Sequence, residues 1–170
     1  MEQLFYPGKN KEEVFKEVEN EISSFVRIAD RDTARPWGGF LVIEEADAEK
    51  FISRFFPDLT KEELSISGKL SPKILMVSPN KKLSWQYHHR RAEVWKLIHG
   101  TAGVVRSDND TEKELIVLEA GDTIELQQGE RHRLVGLDNW GIVAEIWRHT
   151  DVDNPSDEED IVRIQDDFGR

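Results

Sequence analysis

The residue types best suited to chemistry lie close together in Gln86-Tyr87-His88-His89-Arg90-Arg91-Ala92-Glu93. Side chains alternate along an extended strand, so Gln86 and His88 share a face. Arg90 has the same parity and is expected to face the same cavity. Glu93 opens the next apolar run after a bend, and His132 follows much later in Gln128-Gly129-Glu130-Arg131-His132. Two imidazoles, a carboxylate and an amide oxygen suit one divalent cation. The competing reading is a set of polar strand residues with no common target. His89 is out of phase with His88 and reads as outward or packed. His99, beside the turn at Gly100, reads as structural, and Arg133 is out of phase with His132. Trp85, Trp95 and Trp147 read as core or rim, with Trp95 sharing the inward parity of Glu93.

Composition narrows the chemistry further. The 170 residues carry 23 Lys plus Arg against 34 Asp plus Glu, a net charge of −11. That argues against nucleic acid or an anionic membrane as partner, since both need a basic face. A small anionic ligand needs only a local basic pocket. There are no cysteines, which excludes disulfides, thiolate metal sites and cysteine nucleophiles. The start, MEQLFYPGKN, lacks the apolar core of a leader peptide, and no run approaches a membrane span. The expected location is cytoplasmic.

The elements that must position these residues come in two textures. Residues 11–28 place Val14, Phe15, Val18, Ile22, Phe25 and Val26 on one helical face, led by acids. Arg35-Pro36-Trp37-Gly38-Gly39 breaks any helix. Phe40–Ile43 reads as a strand and Ala46–Phe56 as a second helix stopped by Pro57. Thr60-Lys61-Glu62-Glu63 reads as an inexact capping box that permits a third helical turn. From Lys73 the chain becomes short β runs: Ile74–Ser78, Leu83–His89, Val94–Ile98, Gly103–Arg106, Glu114–Leu118, Asp122–Leu126, Arg131–Val135 and Gly141–Trp147. Turn signals separate them, among them Gly100 and Asp138-Asn139. Such spacing indicates an all-β sandwich or barrel. Asp151–Asp160 holds six acids and reads as a solvated loop before a last edge strand in Ile161–Phe168. The expected organisation is a single domain over 1–170. A helical extension occupies 1–34, and the β core spans 35–170 with a helical insertion near 46–64.

The spacing resembles the cupin superfamily. Its first motif, G-x5-H-x-H-x4-E-x6-G, aligns with Asn80, Gln86, His88, Glu93 and Gly100. Its second, G-x5-P-x-G-x2-H-x3-N, aligns with Gly121, Gln127, Gly129, His132 and Gly136. More narrowly, the chain resembles type II phosphomannose isomerases, the cupin domains often fused behind a mannose-1-phosphate guanylyltransferase. Four pieces carry this: Arg35-Pro36-Trp37-Gly38, Leu83–His89, Arg91-Ala92-Glu93, and Asp160-Ile161-Val162-Arg163 with Gly169-Arg170. The resemblance implies a double-stranded β-helix, the jelly-roll cupin barrel. It implies a stand-alone isomerase domain without the nucleotidyltransferase half, and a homodimer. Gln86, His88, Glu93 and His132 become the ligands of one divalent metal ion, zinc first, with iron, manganese, cobalt or nickel as alternatives. The implied reaction is aldose–ketose isomerisation of a phosphorylated sugar, of the mannose-6-phosphate/fructose-6-phosphate type. Arg35 would grip the phosphate through its planar fork, or else form a structural ion pair. Lys73 matches a family lysine at a strand start and would hold a sugar hydroxyl, relay a proton or bind phosphate. Arg35 and Lys73 are thus the catalytic candidates, and Arg35 and Arg90 the substrate-binding ones. The chain departs from the family at Arg90, where a third consecutive His is usual, and in longer segments at Ala46–Leu70 and Arg148–Glu159. The alternative function is a non-catalytic sugar-binding or regulatory cupin.

Overall fold

A computed structural model describes residues 9–66 and 68–169. The first eight residues of the expected extension, and Arg170 of the last resemblance piece, lie outside the described residues. Helix α1 (Lys11–Ile22) starts where the Asn10 side chain accepts from the Glu13 N–H at 2.9 Å. Its face of Val14, Phe15, Val18 and Ile22 is buried. The helix stops short of the expected residue 28. The Ser23 and Ser24 hydroxyls donate to the carbonyls of Asn20 and Glu21, closing the last turn. The chain then forms β1 (Ile28–Asp32), which pairs antiparallel with β2 (Gly38–Ile43). These strands join the sheet, so the β structure begins well before Lys73.

A short 3-10 turn (Glu45–Asp47) leads into α2 (Ala48–Phe55), whose Ala48, Phe51, Ile52 and Phe55 are buried. Helix α3 (Lys61–Leu64) corrects the reading of its cap. Thr60 accepts from the Glu63 N–H at 3.2 Å and its hydroxyl donates to the Glu63 carboxylate at 3.1 Å. With Glu63 three residues after the cap, this is the regular capping-box spacing.

The barrel follows: β3 (Lys73–Val77), β4 (Trp85–Tyr87), β5 (Arg91–Ser107), β6 (Ile116–Leu118), β7 (Thr123–Leu126), β8 (Arg131–His149) and β9 (Val162–Gln165). Two expected turns are absent. Gly100 and Asp138-Asn139 lie inside the long strands β5 and β8, which stay paired from Arg91↔His149 to Ser107↔Arg131. Register shifts at Leu97/His99 and Gly100/Ala102 let the pair bend without breaking. Each long strand therefore serves two sheets. One half of β8 pairs with β3 and the other with β4; β5 likewise meets β7 and then β6. This is the antiparallel jelly-roll arrangement, preceded by helices.

Strand alternation divides the core. Ile74, Met76, Ile142, Ala144 and Ile146 pack outward under α1 and α2. Leu75, Val77, Trp95, Leu97 and Val143 fill the barrel interior. Lys73, Glu93, Glu145 and Trp147 have interior parity in β3, β5 and β8. No helix among the described residues is long and apolar enough to cross a membrane.

The bend at Gly100 is tightly built. Its φ is +76° and a Cβ there would lie 1.7 Å from the Trp140 carbonyl oxygen. Gly129 has the same φ but open space around it. Chemical denaturation should therefore separate two alanine variants. Gly129→Ala is expected to cost about 1 kcal/mol, from backbone conformation alone. Gly100→Ala should cost at least roughly 3 kcal/mol, because the paired strands must also part.

Candidate metal centre and cavity

His88, Glu93 and His132 meet in the barrel interior. Each is nearly fully buried, and one ligand atom from each lies within 4.8 Å of the others. The His132 Nε2 sits 2.9 Å from Glu93 Oε1, and the His88 Nε2 sits 3.1 Å from the same oxygen. The tautomers follow from the other side of each ring. His88 Nδ1 is 2.7 Å from the Asp160 carbonyl and His132 Nδ1 is 2.9 Å from the Glu130 carbonyl. A carbonyl can only accept, so both Nδ1 atoms carry the proton. Both Nε2 atoms of the neutral rings then present lone pairs toward a carboxylate oxygen. Three acceptors facing one another in a buried space call for a cation between them. Glu93 Oε1 and His132 Nε2 have no hydrogen-bond partner. Burial holds His88 below its usual pKa, opposing the pull of Glu93. Burial pushes the Glu93 carboxyl up, but the positive charge of Arg91 opposes it and the group stays well below the ordinary carboxylate range. A neutral His88 beside an ionised Glu93 is the state that metal binding requires. The donor set suits a borderline divalent ion such as zinc.

The centre depends on barrel closure. Glu93 lies opposite Trp147 in one half of the β5–β8 pair, whereas His132 lies opposite Arg106 in the other. Gln86 pairs with His132 across β4 and β8, and its Oε1 accepts from the Ser84 hydroxyl at 3.2 Å.

Glu93 also lines a partly open cavity of about 90 Å³ with Arg35, Lys73, Gln86, Trp95 and Trp147. Of the expected anion holders, Arg35 and Lys73 are here. Arg35 is 3.0 Å from Asp32 and lies over the Phe40 ring. The buried Lys73 ammonium lies 3.9 Å from the Trp147 ring centroid and 5.1 Å from that of Phe40. Burial lowers its pKa to about 8, against the opposing pull of Glu145. Arg90 is not in the lining. Strand β4 ends at Tyr87, so alternation does not carry through the bend, and Arg90 turns to Asp157 and Asp160 at 3.5 and 3.9 Å. Its neighbour Arg91 lines the cavity instead, 3.6 Å from the Trp147 ring centroid and 3.3 Å from His88 Nε2. His89 is exposed.

Besides Arg91, three contributors escaped the sequence reading. Glu145 lies buried in the lining and accepts from the Trp95 and Trp147 indoles at 2.8 and 2.9 Å. Burial and Glu93 hold its carboxyl well above the ordinary range. Its signal was available: an acid inside the apolar run Ile142–Trp147 of β8, in phase with Val143 and Trp147. Arg163, also in the lining, is the second. The third is the acidic loop, which is not simply solvated. Ser156 and Asp160 are buried. Asp160 accepts from the backbone N–H groups of His89 and Arg90, both at 3.0 Å, and from the Ser156 hydroxyl at 2.6 Å. Its carbonyl thereby reaches His88.

The family model described as Mannose-6-phosphate isomerase C-terminal matches residues 48–166. The chain belongs to that family. Arg35 precedes the matched span. The Xanthan biosynthesis protein XanB of Xanthomonas campestris pv. campestris (strain B100) is 28% identical over 158 residues. That alignment covers 91% of this chain, which spans only 28% of the relative's length. Among solved structures, the capsular polysaccharide assembling protein CapF from Staphylococcus aureus is similar with a TM-score of 0.52 and 12% identity, over 80% of this chain and 34% of that one. This likeness concerns the fold alone. A Cupin 2 conserved barrel domain protein from Salinispora arenicola aligns with a TM-score of 0.40 and 24% identity, over 46% of this chain and 61% of that one.

The lining's paired indoles give a stability test. Glu145→Leu strands two buried N–H donors and should cost about 2–4 kcal/mol in chemical denaturation. Glu145→Gln keeps one acceptor oxygen and should cost roughly half as much.

Proposed function

We propose that the chain is a metal-dependent aldose–ketose isomerase acting on a phosphorylated sugar of the mannose-6-phosphate/fructose-6-phosphate type. The observation that carries this reading is three buried acceptors converging beside a cavity with a cationic lining. Arg35, Lys73, Arg91 and Arg163 face Glu93, Glu145 and Glu158 there. Four cationic side chains thus face three carboxyl groups, in a chain whose net charge is −11. Membership of the isomerase-related family and the likeness to a xanthan biosynthesis protein support a sugar ligand.

His88, Glu93 and His132, with Gln86 beside them, would hold the cation. When bound, it supplies Lewis-acid polarisation of the sugar's carbonyl and hydroxyl oxygens. Arg35 and Lys73 hold the anionic end of the sugar and fix the reacting carbons beside Glu93, which supplies orientation. The buried indoles of Trp95 and Trp147 keep that space apolar at its sides. Isomerisation moves one proton between adjacent carbons and one between their oxygens, so no electron carrier or second substrate is needed.

A panel of phosphorylated aldoses and ketoses, assayed with several divalent metals, tests the reading. Turnover of at least one sugar phosphate is expected, and binding without turnover under every condition would favour the non-catalytic reading. Arg35→Ala is expected to weaken sugar-phosphate binding about tenfold to a hundredfold, as for loss of a charge-assisted bond. The pH profile has a definite sign. Lys73 is charged below about 8. Affinity of the free protein for the sugar phosphate should therefore be highest between about pH 6, above which the phosphate is mostly dianionic, and about 8, and fall as pH rises through about 8.

A further inference from the structure

The cavity is occupied from within. Glu158 reaches in from the acidic loop and its carboxylate pairs with the Lys73 ammonium. The pair is lopsided: the Lys73 side chain is 6% exposed and that of Glu158 is 53% exposed. Lys73 is thus a fixed part of the barrel wall, held between Trp147 and Phe40. Glu158 is a visitor from a loop, and a carboxylate leaving the cavity would return to water at little cost. The remaining space, about 90 Å³, is well below the roughly 300 Å³ at the small end of ligand pockets. A ligand of sugar size therefore has to displace something, and Glu158 is the lining residue with the most exposed charged group among the described ion pairs of the cavity.

Displacement has an electrostatic condition. Removing Glu158 leaves the buried ammonium without its direct ion-pair partner and with only the longer-range pull of Glu145 and Glu93, and an under-paired buried charge is costly. A ligand that brings its own anion restores the pair, whereas a neutral sugar does not. We propose that Glu158 is an internal competitor that sets the affinity and charge preference of the cavity, holding the position on Lys73 that the ligand's phosphate takes over. This rests on the sugar-phosphate reading of the same cavity and adds the residue that opposes entry.

The loop is anchored on either side of Glu158, so the carboxylate can swing out without unfolding the segment. The Asp157 carbonyl accepts from Arg91 Nη1 at 2.9 Å, and Asp160 is held by two backbone N–H groups and Ser156. The movement demanded is a side-chain rotation with local loop adjustment, while the Asp160 carbonyl stays on His88.

Calorimetric titration of the full chain with inorganic phosphate tests the proposal without relying on turnover. Glu158→Gln keeps size and removes the charge, and Glu158→Ala removes the competitor altogether. Both are expected to tighten phosphate binding about two- to fivefold, the range for loss of a partly exposed ion pair. Lys73→Met, which keeps the apolar stem between the two rings, should abolish that phosphate binding. Thermal unfolding of each variant checks that the fold is retained. Unchanged or weaker phosphate binding in both Glu158 variants would overturn the proposal, as would phosphate binding that survives Lys73→Met. The two readings fail separately. Tighter phosphate binding with no isomerisation of any sugar phosphate would sink the isomerase reading and leave the competitor standing. Isomerisation with phosphate affinity unmoved by Glu158 would do the reverse.

Discussion

Three lone pairs aimed at one another in a buried space are the constraint on which the rest of the structure depends. The cluster is not stable in isolation, because Glu93 Oε1 and His132 Nε2 meet with no donor between them and have lost their water, and only His88 Nε2 is reached by a donor, Arg91 Nη2. The surrounding fold supplies what holds them there. Two backbone carbonyls, from Asp160 and Glu130, fix the ring tautomers. The long β5–β8 pairing brings Glu93 and His132 together from opposite halves of the barrel. Arg91 contributes positive charge at the edge of the cluster and keeps Glu93 ionised. Outer partners of this kind orient metal ligands in general and matter nearly as much as the ligands themselves.

The same logic explains the acidic loop. Six acids in ten residues predict solvation, and most of that segment is exposed. Asp160 is the exception because it caps the bend at His89 and Arg90, where β4 has ended and two N–H groups need acceptors. Tying that bend down also brings the Asp160 carbonyl to His88. A loop that reads as filler thus supports the candidate metal centre from behind and reaches the cavity from the front through Glu158.

Much of this was legible in the residues. The period of two placed Trp95 with Glu93 inside the barrel, and the motif spacing found the His88, Glu93 and His132 set. Three features were hidden for distinct physical reasons. Gly100 and Asp138-Asn139 carry turn chemistry, but a bulge uses the same residue types, and only partner strands decide between them. Arg90 and Arg91 cannot be told apart by parity, because parity is lost at a bend. The Asp160 carbonyl has no sequence signature at all, since every residue has a carbonyl. Lys73 was recognisable as a cavity candidate, but its partner Glu158 lies 85 residues away in a segment with six acids to choose from.

The most direct measurement is of the imidazole nitrogens themselves. Nitrogen-15 NMR of the histidines, before and after one equivalent of zinc, reads both tautomer and ligation. The expected spectrum shows His88 and His132 protonated at Nδ1 and bare at Nε2. On zinc addition the Nε2 resonances of these two rings should shift together and saturate at one ion per chain, with His89 and His99 unmoved. Protonation at Nε2 in either ring, or Nε2 resonances indifferent to zinc, would contradict the convergence of acceptors on which the proposed centre rests.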